Sequence, residues 1–187
     1  MNALFRHQPL LQEEVDTPNH SKLREGRIGC MLHYDGSSSD MGGVGWFKHR
    51  DCDVSYHWLV LDSGNYVDLA PANRRAWAAG KCRSSSIMLD YADANSAFYQ
   101  IAVAAKDGEI VTAAQFLTVC TLVRHCFDAE KWSVEEAWRV VSHGSEAWPR
   151  GRKIDPEGTD PKRPVLSIKD VRSMVSHVVL NDGKGDE

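Results

Sequence analysis

The sequence predicts an α/β domain with a mixed β-sheet at its centre and helices packed against it. Three observations predict it. Short apolar runs of strand character recur along the chain. Two longer stretches carry apolar residues at helical spacing. Their order is strands, helix, strand, helix, which suits helices layered on a sheet.

The elements follow in order. Residues 1–26 lack clean periodicity and read as an N-terminal arm. Residues 27–33 (RIGCMLH) are apolar and strand-like, and the serine-rich cluster after Gly36 marks a loop. Residues 40–49 suit a short helix despite three glycines. Residues 56–69 read as a hairpin, because two apolar runs flank Asp62-Ser63-Gly64-Asn65, which has turn chemistry. Residues 99–105 (YQIAVAA) form a further strand. Thr112 and Gln115 have capping-box spacing, and Phe116, Val119, Cys120, Val123 and Phe127 then give one apolar helix face to about residue 129. Residues 139–142 form a short strand leading into His143. A Pro/Gly-rich loop spans roughly 147–164, and Ser167 opens a last helix with Val171, Met174, Val175 and Val178 on one side. The expected organisation is an arm (1–26), one catalytic-sized domain (27–180) and a flexible tail (181–187).

Composition narrows the function. The chain has 187 residues and a formal net charge of −4, which argues against a general nucleic-acid binder. No apolar run approaches the roughly 18 residues of a membrane span. The N-terminus lacks a signal-like apolar core, because Arg6, His7 and Gln8 interrupt it and Glu13 and Glu14 follow. Cytoplasmic synthesis is therefore expected. Five cysteines, none in a C-x-x-C pair, read as reduced thiols. Eight histidines and six tryptophans stand out.

Three positions place metal-competent side chains beside apolar strands. His33 closes RIGCMLH, His143 closes RVVSH, and Asp155 lies in the loop GRKIDPEG. Two imidazoles and a carboxylate would leave the fourth position of a tetrahedral zinc open. Taken alone, each histidine reads as a hydrogen-bonded structural residue, and spacing alone does not bring the three together. Cys30 is three residues from His33, so in a strand it faces the other layer and belongs to the core. In extended backbone Lys153 faces the same side as Asp155, placing a cation where an oxyanion could be stabilised.

The segments LHYDG, SYHWLVLDSGNYVDLAP, RAWAAGKCR and SHGSEAWPRGRKIDPEG, in this order and spacing, resemble the zinc-dependent N-acetylmuramoyl-L-alanine amidases. That family includes phage amidases, muropeptide-recycling amidases and peptidoglycan recognition proteins. The resemblance covers about residues 27–178. It implies one Zn2+ held by His33, His143 and Asp155, with Lys153 as oxyanion stabiliser and Tyr56 as the catalytic tyrosine of the phage-like branch. His57 should face away from Tyr56 and be structural. A groove for peptidoglycan or muropeptide is expected at Trp46, Trp77 and Trp148, with Asn95 and Arg83 as further contacts. Two departures stand out. Ala102 replaces the central-strand glutamate of recycling amidases, and Ala78 replaces the histidine of a common AWHAG segment.

The resemblance implies a peptidoglycan amidase, here expected to be a monomeric, phage-type endolysin released through a holin-type partner, with no membrane insertion. Its length leaves no expected room for a separate wall-binding module. The alternatives are a cytoplasmic muropeptide-recycling amidase, a non-catalytic peptidoglycan-binding module and an unrelated zinc hydrolase. The complete ligand set favours an enzyme over a binding module.

Overall fold

The computed structural model describes residues 9–37, 39–84 and 90–178. Along the chain the elements are β1 (Leu11–Glu14), β2 (His20–Lys22), β3 (Gly29–Tyr34), α1 (Asp40–Phe47) and a 3-10 turn at Arg50–Cys52. There follow β4 (Trp58–Val60), β5 (Tyr66–Asp68), β6 (Arg74–Ala76), α2 (Ala94–Ala97) and β7 (Phe98–Val103). The chain then forms α3 (Ala113–Glu130), a 3-10 stretch at Val134–Arg139, β8 (Val140–Ser142), α4 (His143–Glu146) and α5 (Ile168–Val175).

The central sheet has the order β1-β5-β4-β7-β3-β8. Only the β4–β5 hairpin pairs antiparallel; the other neighbours run parallel, so the sheet is mixed as expected. Side chains alternate between its two faces. Cys30 and Leu32 on β3, with Tyr99, Ile101 and Val103 on β7, enter the core beneath α3 and α5. On the other face Met31 packs with Phe98 and Val141, and Ala102 packs with Tyr56, Phe47 and Leu59. Cys30 is thus core and lies on the opposite face from His33.

The helices begin where side chains satisfy orphan backbone donors. Thr112 and Gln115 form a reciprocal capping box at 3.1 and 2.9 Å, starting α3. The Ser167 side chain caps α5. Ser39 caps α1, and Gly43 there has a packing reason. A Cβ at Gly43 would stand 2.3 Å from the Asp35 carboxylate, so the helix can approach the end of β3 only with glycine at that position.

From residue 9 on, the segment read as an arm is part of the fold. Its residues 11–14 form β1, which extends the sheet beside β5, and residues 20–22 pair antiparallel with β6. Strands of three or four residues with mixed polarity, one of them irregular in register, leave no periodic signal, because a partner strand and not the local pattern specifies them. The expected tail at 181–187 lies outside the described residues. No helix among those described is long and apolar enough to cross a membrane.

The topology also explains where polar groups collect. β3 and β8 are neighbouring parallel strands with Leu32 opposite Ser142. The next residue of each is a histidine. Parallel pairing therefore delivers His33 and His143 to the same, carboxyl end of the sheet, where open α/β sheets commonly place their sites.

Candidate metal centre

His33, His143 and Asp155 converge there, and all three are buried. Oδ2 of Asp155 stands 3.0 Å from Nδ1 of His33 and 3.0 Å from Nδ1 of His143. The histidine rings lie 4.7 Å apart between centroids. Asp155 arrives on the loop after α4, and the Gly144 amide donates to its backbone carbonyl at 2.7 Å. A Cβ at Gly144 would meet the backbone of residues 153–155 at 3.2 Å, so glycine allows this close approach.

The far nitrogens decide what the near ones can do. Nε2 of His33 faces Oε1 of Gln100 at 2.8 Å, and Nε2 of His143 faces the Ala79 carbonyl at 2.8 Å. Gln100 is fixed in orientation, because its Nε2 donates to the carbonyls of Ala94 and Phe98. Both partners of the histidines are therefore acceptors, and each Nε2 carries a hydrogen and donates it. In the neutral rings each Nδ1 is left with a lone pair aimed at a carboxylate oxygen. Such a convergence of acceptors in a buried place calls for a cation.

Zinc fits that place. Tetrahedral zinc with N and O ligands at about 2.0–2.1 Å sets them roughly 3.3 Å apart, close to the separations seen here. The donor set, two imidazoles and one carboxylate, is a common zinc set with one position left for water or substrate. The protonation tendencies agree. Without metal, a proton on the histidines takes the cation's place: burial alone would raise the Asp155 carboxyl, but hydrogen bonds and charge from His143 and His33 then hold it well below the usual carboxylate range. Burial pushes His143 below its ordinary value despite Asp155. Among the described residues, this cluster constitutes the zinc-binding site.

A cavity of about 690 Å3 opens beside the cluster, with Trp46, Tyr56, Ala78, His143, Lys153 and Asp155 among its lining residues. Tyr56 is buried, with its ring 5.1 Å from that of His33. Burial, reinforced by Asp155, pushes its phenol far up, so the hydroxyl keeps its proton. Lys153 is exposed at the rim. A larger cavity of about 990 Å3, lined by Leu10, Glu14, Tyr66, Asp68 and His125 among others, shares no residue with the metal cluster.

The expected groove residues do not all line this cavity. Of the three tryptophans, Trp46 lines the cavity and is 54% exposed. Trp77, Trp148, Arg83 and Asn95 are not among its lining residues. Trp77 is half-buried, and its indole donates to Ser21. Arg83 and Trp148 stack on each other, the guanidinium 5.2 Å from the ring centroid. Asn95 is buried, and its Oδ1 accepts from the amides of Ala78 and Ala79 at 3.0 and 2.7 Å. Residue type alone suggested contact surfaces, whereas each of these side chains is engaged within the fold.

His57 is structural, as its parity with Tyr56 implied. Its Nδ1 accepts from the Gln100 amide at 2.8 Å, and its Nε2 donates to the Arg74 carbonyl at 2.9 Å. Gln100 and Arg152 escaped the sequence reading. A polar residue inside the apolar strand of residues 99–105 was the available signal for Gln100, since residue 100 shares the face of residue 102. No such signal marked Arg152, whose guanidinium hydrogen-bonds the carbonyls of Ala79 and Lys81, about 70 residues away in the chain.

Comparison with known proteins supports the same fold. A crystal structure of AmpD agrees at a TM-score of 0.68 and 19% identity, covering 87% of this chain and 93% of that one. The Staphylococcus aureus hydrolase AmiA agrees at 0.66 and 14% identity, covering 95% and 84%. The N-acetylmuramoyl-L-alanine amidase LysC from Clostridium intestinale agrees at 0.59 and 14% identity, covering 91% and 99%. No curated protein matches the sequence. The family model described as N-acetylmuramoyl-L-alanine amidase matches residues 28–158, well over half of the chain and the span that holds all three metal-binding residues, and the chain therefore belongs to that amidase family.

Proposed function

We propose that the cavity beside the zinc site binds the lactyl–L-alanine junction of peptidoglycan, and that Lys153 and Tyr56 carry the chemistry with the metal site. One observation supports this above the others: His33, His143 and Asp155 present a three-ligand set directly beside a cavity that Lys153 and Tyr56 also line. Zinc held by His33, His143 and Asp155 would supply Lewis acidity and lower the pKa of water toward about 7.

The chain's own groups do the rest. Asp155 and the two Nδ1 atoms fix the site, with Gln100 and Ala79 holding the ring orientations. The Lys153 ammonium at the rim stabilises the oxyanion that forms on the amide carbonyl. The Tyr56 hydroxyl, which keeps its proton, orients the attacking water or the carbonyl. Trp46 offers an exposed aromatic face for a sugar or the peptide stem.

Two biological settings fit this chemistry. Action on soluble muropeptides, the recycling role, suits a chain whose cavity of about 690 Å3 is large enough for a soluble fragment. Action on intact wall, the endolysin role with a holin-type partner, is supported by Ala102. That residue lies opposite His33 in the parallel register of β3 and β7, and no carboxylate reaches the site from it. Mass spectrometry of products separates the two. Turnover of soluble anhydro-muropeptides with intact sacculi untouched supports recycling, the reverse supports lysis, and chelator-insensitive turnover of both sinks the zinc mechanism.

A further inference from the structure

The segment 78–81 connects Asn95, which does not line the cavity, and Arg152, which lies on its rim, to a metal ligand. On its amide side, Asn95 Oδ1 accepts from both Ala78 and Ala79. On its carbonyl side, Nη2 of Arg152 donates to Ala79 at 3.1 Å and to Lys81 at 2.8 Å. Between them, the Ala79 carbonyl accepts from Nε2 of His143 at 2.8 Å. The turn bends at Gly80, where φ is +60° and a Cβ would stand 3.7 Å from the Arg152 guanidinium. The segment is also stitched to the chain after α4, because the Trp148 amide donates to Lys81 and the Arg83 amide to Glu146.

We propose that Asn95 and Arg152 are positioning residues for His143, acting together through the Ala78-Ala79-Gly80-Lys81 segment. An imidazole that binds a metal through one nitrogen is oriented by the acceptor on its other nitrogen. Here that acceptor is a loop carbonyl. A loop carbonyl is precise only if its peptide cannot rotate, and rotation is blocked from both sides. Asn95 fixes the two amides that flank the Ala78 carbonyl, and Arg152 fixes the carbonyls of Ala79 and Lys81. Arg152 reaches back from the loop that carries Asp155, so the same clamp ties the settings of two ligands together.

The inference rests on the zinc-site reading, and the test separates the two. Zinc affinity is measured by competition with a chromophoric chelator, and the visible spectrum of the cobalt-loaded protein is recorded for wild type, Arg152→Met and Asn95→Ala. Loss of an outer-shell partner typically weakens metal binding about 10–100-fold. That loss, with a shifted cobalt spectrum, is expected for both variants. Arg152 is exposed, so its variant remains informative if Asn95→Ala fails to fold. Zinc affinity within twofold of wild type in Arg152→Met, with an unchanged cobalt spectrum, overturns the inference even if the metal-free protein melts earlier. Wild type that binds no zinc overturns the metal-site reading and this inference with it.

Discussion

Nδ1 of His33 stands 3.0 Å from Oδ2 of Asp155, across 122 positions of the chain. With the ring neutral, neither atom has a proton to offer the other once Nε2 of His33 donates to Gln100. The contact makes sense with a cation between the two residues, and the same holds for His143. His33→Ala and Asp155→Ala should each reduce bound zinc from one per chain toward none. Elemental analysis after dialysis reads this directly, and retention of a full equivalent in either variant would contradict the ligand assignment.

Lys153 should separate chemistry from metal binding. Its ammonium lines the cavity without belonging to the buried cluster. Removing one oxyanion stabiliser typically costs about 10²–10³ in rate. Lys153→Ala should keep its zinc and lose turnover on that scale, with kcat falling more than KM rises. Near-normal kcat would remove Lys153 from the mechanism.

Much of this site was legible in the sequence, and the reason is local. A histidine at the exit of an apolar strand is visible as a pattern, and so is Lys153 two residues before Asp155. The β-hairpin, α3 with its capping box, and α5 follow from periodicity and turn chemistry in the same way. What was not legible depends on partners distant in the chain. β1 is a strand only because β5 offers it an edge. Asn95 looks like a surface contact until its oxygen is seen to hold two amides. Nor does the sequence show that Trp148 and Arg83 stack on each other.

Gln100 fixes the tautomer of His33, so its amide oxygen should matter to the metal. Gln100→Leu leaves the Nε2 hydrogen of His33 buried without an acceptor, which costs about 1–3 kcal/mol. The ring then gains by turning or by moving its proton to Nδ1, and zinc binding should weaken about 10–100-fold. Gln100→Glu keeps an acceptor oxygen at that place and should bind zinc more tightly than Gln100→Leu. Equal affinities for the two variants would show that the hydrogen bond does not orient the ligand.

Zinc should also stabilise the fold, because the three ligands join β3, the β8–α4 junction and the following loop. A ligand at a hundred times its Kd adds about 2.7 kcal/mol if the unfolded chain does not bind it. For a chain of this size that raises Tm by roughly 5–11 °C. Calorimetry with and without chelator tests it, and a chelator-independent Tm would mean that the ligands are not joined by a metal in the folded protein.

His57 predicts a pH dependence of stability. Burial first, then the neighbouring Arg27 guanidinium, lower its pKa to about 3, and protonating Nδ1 would break its bond from the Gln100 amide. In the unfolded chain the ring titrates near the usual 6.5. Between those values the unfolded chain binds a proton that the folded chain does not, so stability falls as pH falls from about 6.5 toward 3. From pH 7 to pH 5 this one residue should remove about 2 kcal/mol. Urea unfolding of wild type and His57→Gln at both pH values isolates the effect, since the other histidines are common to both proteins. Wild type should lose about 2 kcal/mol more than the variant over that interval, and equal losses would mean that the buried ring is not what couples stability to pH.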